Sequence, residues 1–320
     1  MILNVTSFFC GCGGMDLGIQ GNFDYLQNFY KKHPTKIVYA ADFDSYATTI
    51  YNNNFSHKCE TKDVREVSDK DIPTHDILLG GFPCQSFSIV AQNPPRLGIK
   101  DEKGQLFFEM CRILQMKKPR FFIAENVKGL LSANKKKAFP LIINHFEESG
   151  YFVKWKLLNS VDFGVPQKRE RVFIIGFKNE KDYQNFSFPE PITKEKHVPL
   201  KTALQNNIIE KYFFSDRAVE GMKRVQHKMN KGRAQNIELP CNTISAHLSK
   251  VSLNSTDPVL LEDGKYRRFT PREAANIQSF PNNFHLESVS ENRQYRAIGN
   301  AVPPVLMWHV SNSLMDIIKT

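Results

Sequence analysis

The chain has 320 residues, enough for one large domain plus a smaller one, with a sizeable core. Hydrophobic residues make up 41% and charged residues 24%, which excludes a disordered or fibrous chain, and no apolar run reaches the ~18 residues of a membrane span. A formal net charge of +10 and a pI near 9.2 favour a polyanionic partner, of which nucleic acid is the commonest; a generally basic surface is the alternative. The six cysteines, Cys10, Cys12, Cys59, Cys84, Cys111 and Cys241, show no disulfide-framework spacing. Reduced thiols in a cytoplasm are therefore expected. The Cys10–Cys12 pair has no second Cys/His pair at zinc spacing, so no metal site is expected.

The N-terminal "MILNVTSFF" has no basic region and no small-residue cleavage site, and reads as a first strand rather than a signal peptide. Further short apolar runs follow: "KIVYAAD" (36–42), "DILLGG" (76–81), "RFFIAEN" (120–126), "VKWKLLN" (153–159) and "RVFIIGF" (171–177). Mostly bounded by Gly, Asn or Asp, they match strands buried on both faces. Between them lie helical patterns. In residues 104–116, Leu106, Phe107, Met110, Ile113 and Leu114 share one face, and residues 138–150 end on Gly150, a C-cap residue. This alternation predicts an α/β fold with a doubly wound, mostly parallel sheet. The rhythm stops after Phe177, and residues 178–266 are polar, basic and weakly periodic. From Lys211 to Arg233 there are seven Lys/Arg against two acids, which predicts a second, smaller domain with a basic face. "TPREAANIQSF" then opens with a capping-box pattern at Thr270, Pro271 and Glu273, and Pro304–Ile318 predicts an amphipathic closing helix. The expected division is 1–178, cofactor-binding and catalytic; 179–284, the small domain; and 285–320, a segment returning to the first domain.

Several motifs carry chemistry. "FFCGCGGMDLG" places Gly11, Gly13 and Gly14 between a strand and a helix, where a backbone approaches a ligand closely. A dinucleotide fingerprint starting at Gly11 would need a third glycine at position 16, which is Asp16, so a nucleoside-bearing cofactor without pyrophosphate fits better. Asp42 ends the next strand, where an acid binds ribose hydroxyls, and Asp63 sits at the next strand end, within reach of an adenine amino group. "GGFPCQSFS" (80–88) puts Cys84 in a Gly/Pro/Ser-rich loop at the carboxyl end of a buried strand. That is the position of a nucleophile rather than a core thiol. A long polar loop follows, of the kind that closes over a substrate. Glu125 and Asn126 end another buried strand and face the same crevice, and the alternating Arg169 and Arg171 suit clamping an anion or orienting Glu125.

Together, "FFCGCGG", "GGFPCQSFS", "AENVKG", "QKRERVFIIGF", "RRFTPREAANIQSFP" and "YRAIGNAVPP" resemble the DNA (cytosine-5) methyltransferases, especially the compact bacterial enzymes of restriction–modification systems. The six segments keep the family's order and span nearly the whole chain. The resemblance implies that Cys84 attacks C6 of cytosine, that Glu125 contacts the ring N3 and amino group, and that Arg169 and Arg171 support the ring and its pocket. It implies S-adenosylmethionine against Phe9, Gly11, Gly13, Gly14, Asp42, Asp63 and Asn300, with S-adenosylhomocysteine as product and no metal. It makes the variable stretch a target-recognition domain and names Gln85, Ser88, Asn126, Arg233, Thr243 and Ile244 as substrate contacts, Thr243–Ile244 matching a family mark. The partner implied is double-stranded DNA with a flipped-out base, bound by a monomer in a bacterial cytoplasm, associated with the nucleoid through DNA. A cognate restriction endonuclease, the recognised sequence and a gap-filling residue near Val90 stay open. Asp42 departs from the Glu of many relatives, implying a longer or water-bridged ribose contact, and Cys10 and Cys12 replace commoner small or apolar residues. The alternatives are an RNA cytosine methyltransferase, whose relatives often carry a Cys-Phe-Thr triplet missing here, a catalytically silent DNA-binding protein, and a thiol hydrolase pairing Cys84 with a histidine.

Overall fold

The computed structural model describes residues 1–83, 105–224, 233–250, 257–262 and 264–318. Cys84, Gln85, Ser88 and Val90 lie outside the described residues, as does part of the basic stretch, 225–232.

Seven strands form the main sheet: β1 (Leu3–Phe8), β2 (Thr35–Asp42), β3 (Glu60–Thr61), β4 (Ile77–Gly80), β5 (Phe121–Val127), β6 (Phe152–Asn159) and β7 (Glu170–Phe177). Their order across the sheet is β3-β2-β1-β4-β5-β7-β6. All neighbours pair in parallel except β7, which runs antiparallel to both β5 and β6. The mostly parallel α/β sheet expected from the apolar runs is thus observed, with one reversed strand. Strand order reverses between β1 and β4, and a crevice opens at such a switch point.

The continuous apolar character of the strands follows from burial on both faces. Leu3 and Val5 of β1, Ile77 and Leu79 of β4, Phe121 and Ile123 of β5, and Phe173, Ile175 and Phe177 of β7 enter one core. Their neighbours Phe8, Leu78, Phe122, Ala124, Val172 and Ile174 enter the other. The first core is covered by α1 (Gly14–Gln20) and by a C-terminal helix, Pro304–Ile318, through Leu306, Met307, Val310 and Leu314. A second pair of helices, α3 (Gln105–Lys117) and α4 (Ala138–Glu148), covers the opposite face through Phe107, Met110, Ile142 and Phe146. The helix α2 (Ser45–Asn52) follows β2 and is capped by Asp44, whose side chain accepts the Tyr46 and Ala47 amides. The chain leaves α4 through Gly150 at φ 85°, in the left-handed C-terminal position.

Beyond β7 come α5 (Glu180–Asn185), α6 (Asp216–Arg224), α7 (Pro271–Ile277), α8 (Glu291–Asn300) and the closing helix, α9 (Pro304–Ile318). The capping box opening α7 is present: Thr270 Oγ1 accepts the Glu273 amide and Glu273 accepts the Thr270 amide. A third apolar cluster joins Leu200, Cys241, Ile244, Leu248, Phe269 and Ile298. Cys12 and Ile50, from the sheet-bearing half, belong to this same cluster, so the later segments pack continuously onto the loop between β1 and α1. Among the described residues no helix is long and apolar enough to cross a membrane.

Candidate active site

The loop between β1 and α1 is shaped by its glycines. Phe9, Gly11 and Gly13 have positive φ values of 56°, 56° and 91°. A Cβ on Gly13 would lie 2.3 Å from the Phe55 ring, and one on Gly14 would lie 2.3 Å from the Val302 carbonyl oxygen. Gly11 differs: a Cβ there would meet nothing within 4 Å. The loop is therefore packed tightly from behind and open in front. Asp42 fixes it, accepting the Gly11 amide at 2.8 Å through Oδ2 and the Asp44 amide at 2.8 Å through Oδ1. Burial pushes the Asp42 carboxyl up, and these two amides pull it back. Asp63 is engaged within its own turn, where Arg65 donates to both carboxylate oxygens and holds its pKa below the ordinary range.

In front of the loop lies a cavity of about 410 Å³, lined by Phe9, Asp42, Asp63, Val64, Pro83 and Leu106 among others. Phe43 and Arg296 also line it. Phe43 is 64% exposed, an aromatic face with no core to fill. Arg296 joins this cavity to a neighbouring one of about 700 Å³, where Asn300 lies with His247 and Arg293. The structure thus sets Phe9, Asp42 and Asp63 around one cavity and Asn300 in the next. Gly11, Gly13 and Gly14 form the loop behind.

The carboxyl ends of β4 and β5 meet beside this cavity. Glu125 is buried, and Arg171 Nε lies 2.8 Å from its Oε1. The sheet register explains the pairing: Phe173 lies opposite Glu125, and Arg171, two residues along the same face, reaches it diagonally. Burial pushes the Glu125 carboxyl up, whereas Arg171 and then Arg169 pull it down. A Cβ on Gly81 would lie 3.7 Å from Glu125 Oε2 and 3.8 Å from the Phe9 carbonyl oxygen, so the acid, the glycine loop and the end of β4 converge there. Asn126 donates through Nδ2 to the Phe82 carbonyl at 2.8 Å, pinning the chain two residues before Cys84.

Arg169 acts on Glu125 by charge alone; its hydrogen bonds go to other segments. It follows the same alternation as Arg171 but precedes β7, and its buried guanidinium donates to the carbonyls of Ile244 (3.0 Å), Gly299 (2.8 Å) and Ala301 (2.9 Å). Gln167 adds a second tie, accepting the Ile244 amide at 2.9 Å and donating to Gln278 at 2.7 Å. Thr243 is exposed, its hydroxyl donating to the Lys168 carbonyl at 2.6 Å, whereas Ile244 is fully buried. Arg233 is buried and donates through Nε to the Asp257 carbonyl.

A doubly wound sheet with a cavity at its switch point, beside a buried acid–arginine pair, is the architecture of an α/β enzyme. Comparison of the sequence narrows this: the model of the C-5 cytosine-specific DNA methylase family matches residues 3–316, and the chain belongs to that family. It is 34% identical over 322 residues to the type II methyltransferase M1.ScrFI of Lactococcus lactis subsp. cremoris, covering 98% of this chain and 78% of that one. Identity to M.FnuDI of Fusobacterium nucleatum is also 34%, covering 98% and 94% of the two chains. Among solved structures, S. pombe Dnmt2 methyltransferase aligns with a TM-score of 0.79 at 19% identity, covering 99% of this chain and all of that one. Entamoeba histolytica methyltransferase EhMeth aligns at 0.77 with 21% identity, over the full length of both. These last two likenesses establish the fold alone.

Phe43, Val64 and Arg296 were not among the residues singled out by sequence, and Leu106 was read only as part of an apolar helix face. Phe43 and Val64 directly follow Asp42 and Asp63, so adjacency to an acid at a strand end was the available signal. Arg296 carried no local signal, because α8 meets the cavity only through tertiary packing.

Proposed function

We propose that the chain transfers a methyl group from S-adenosylmethionine to C5 of a cytosine flipped out of double-stranded DNA, as the modification enzyme of a restriction–modification system in a bacterial cytoplasm. The observation that carries this reading is the buried Glu125–Arg171 pair, set between the cofactor loop and the strand end that leads into Cys84. Family membership and the names of its type II relatives support the substrate and the modification role.

The residues present fit the cofactor. The open face above Gly11 admits a ligand against the backbone, Phe43 offers a stacking surface, and Asp42 and Asp63 supply acceptors. S-adenosylmethionine, when bound, supplies an electrophilic methyl group. The protein's own work is on the base. The Cys84 thiolate adds to C6, forming an S–C6 bond and making C5 nucleophilic. Glu125, kept closer to neutral by burial, hydrogen-bonds N3 and the amino group and stabilises the electron density that addition pushes into the ring. Arg171 holds that carboxyl in place. After methylation a base, solvent water included, takes the C5 proton, the C–H electrons form the C5–C6 double bond, and the S–C6 bond breaks to return the Cys84 thiolate. A stacked base offers none of these atoms, so the nucleotide must leave the duplex. Arg169 acts as a positioning residue, tying the Thr243–Ile244 segment of a recognition domain spanning 179–284 to the catalytic region.

The test combines purified protein, unmethylated plasmid and S-adenosylmethionine, read by bisulfite sequencing. Protected cytosines recurring in one short context are expected, and a Cys84→Ser variant is expected to protect none while still binding DNA. Near-normal protection by the Ser variant removes Cys84 as nucleophile. Salt-sensitive DNA binding without protection by the unaltered chain favours a silent binder.

A further inference from the structure

Two cysteines that the chemistry above does not use face each other behind the cofactor cavity. Cys10 lies in the glycine loop between Phe9 and Gly11, and Cys59 directly precedes β3, which leads to Asp63. Their Sγ atoms are 3.1 Å apart, both residues are buried, and 49 residues of chain separate them. Their backbones are anchored. Cys59 donates its amide to Asn52 Oδ1 at 2.7 Å and accepts from Asn52 Nδ2 at 3.1 Å, while the Cys10 carbonyl accepts the Gly13 amide at 2.9 Å. The pair thus links the loop behind the cavity to the segment that carries one of its acids.

We propose that Cys10 and Cys59 form a redox-modification site, at which a small peroxide oxidises the two thiols to a disulfide that weakens cofactor binding. The proposal rests on the cavity being the cofactor site. Hydrogen peroxide suits two buried thiols, because bulkier disulfides cannot reach them. One thiolate attacks the peroxide, breaking the O–O bond to give a sulfenic acid and hydroxide. The second thiol then attacks the sulfenic sulfur, forming the S–S bond and expelling hydroxide, so two thiols and one peroxide yield one disulfide and two waters. A disulfide is about 2.05 Å long, so the sulfurs must close by about 1 Å. Both backbones are anchored, Cys59 by two bonds from Asn52 and the glycine loop by the Asp42–Gly11 contact, so closing the gap strains that single loop contact first. That movement draws the Gly11 amide from Asp42 and reshapes the wall at Phe9. Burial raises the Cys10 thiol well above its ordinary pKa, so oxidation is slow at neutral pH and quickens as pH rises.

The experiment uses the full chain carrying Cys84→Ser, so that oxidation of the reactive loop thiol does not intrude. The protein is treated with hydrogen peroxide at pH 8, digested without reduction for peptide mass spectrometry, and titrated with S-adenosylhomocysteine. A Cys10–Cys59 cross-linked peptide is expected. So is a tenfold or greater rise in the Kd for S-adenosylhomocysteine, restored by dithiothreitol. The additional variants Cys59→Ser and Cys10→Ala are each expected to give neither change. Thiols still free after treatment, or sulfinic acid in place of the cross-link, overturns the site. A cross-link with unchanged affinity overturns its coupling to the cofactor. If the reduced protein itself binds no S-adenosylhomocysteine, the cofactor reading fails, and the peptide map alone still decides the thiol chemistry.

Discussion

Arg169 offers the sharpest separation of a positioning role from a catalytic one. With Arg267 it is among the largest fully buried side chains of the described residues, and its three carbonyl partners come from two distant segments. Replacement by Met keeps much of the volume and removes every donor. Each hydrogen bond from a charged group contributes about 1.5–3 kcal/mol, and carbonyls left without a donor add to the loss. Against this stands the recovered cost of burying a guanidinium, several kcal/mol. The Ala301 carbonyl keeps a second donor in Gln278, at 3.2 Å, which limits the damage there. The net expectation is a loss of about 2–4 kcal/mol, a fall in Tm of roughly 3–6 °C for a chain of this size. Because Ile244 loses one of its two tethers, keeping only the Gln167 contact, KM for DNA should rise with the fall in Tm, and Arg169→Lys should recover part of both. Thermal unfolding and steady-state methyl transfer on the same preparations make the measurement. An Arg169→Met variant with unchanged Tm and unchanged KM, but a much reduced kcat, would refute the clamp and place the guanidinium on the reacting base.

Glu125→Gln keeps the shape of the acid and can still accept from Arg171, so S-adenosylhomocysteine binding should persist while kcat falls about 10²–10⁴-fold; a smaller loss removes Glu125 from the proton-bearing role. Gly14→Ala drives a methyl group to 2.3 Å from the Val302 carbonyl, so the loop must shift. A stability loss of about 1–3 kcal/mol with weakened S-adenosylhomocysteine binding is expected in a thermal-shift assay, and an unperturbed variant refutes the tight backing of the loop. Asp16 is buried, accepts from Ser7 and Tyr51, and is pushed up to about 6 by burial. The folded chain then holds a proton at Asp16 that the unfolded chain releases near pH ~3.9, so this group makes stability fall as pH rises from about 4 to 6, by roughly 3 kcal/mol. Asp16→Asn should flatten urea-derived stability across that window; an undiminished slope assigns it to other groups.

What could be read in the sequence was local or periodic. The apolar runs were legible as buried strands because a strand covered on both faces needs an apolar residue at every position. The Thr270 capping box was legible because its partners lie three residues apart. Glu125 and Arg171 could be placed at strand ends by simple alternation. Arg169 shares the alternation but precedes β7, and its hydrogen bonds to the Ile244, Gly299 and Ala301 carbonyls had no local signal. Phe43, Arg296 and the Cys10–Cys59 contact required the folded chain.

The sequence by itself determined the α/β class, the strands and helices that build it, and the family, since these rest on short-range periodicity and on motifs contiguous along the chain. Only the tertiary structure decided which residues share the cavity beside the glycine loop, where Arg169 donates its hydrogen bonds, and that Cys12 and Ile50 share a core with residues 200–298. Those outcomes depend on contacts between segments tens to hundreds of residues apart, whose approach is set by how the layers pack rather than by any local pattern.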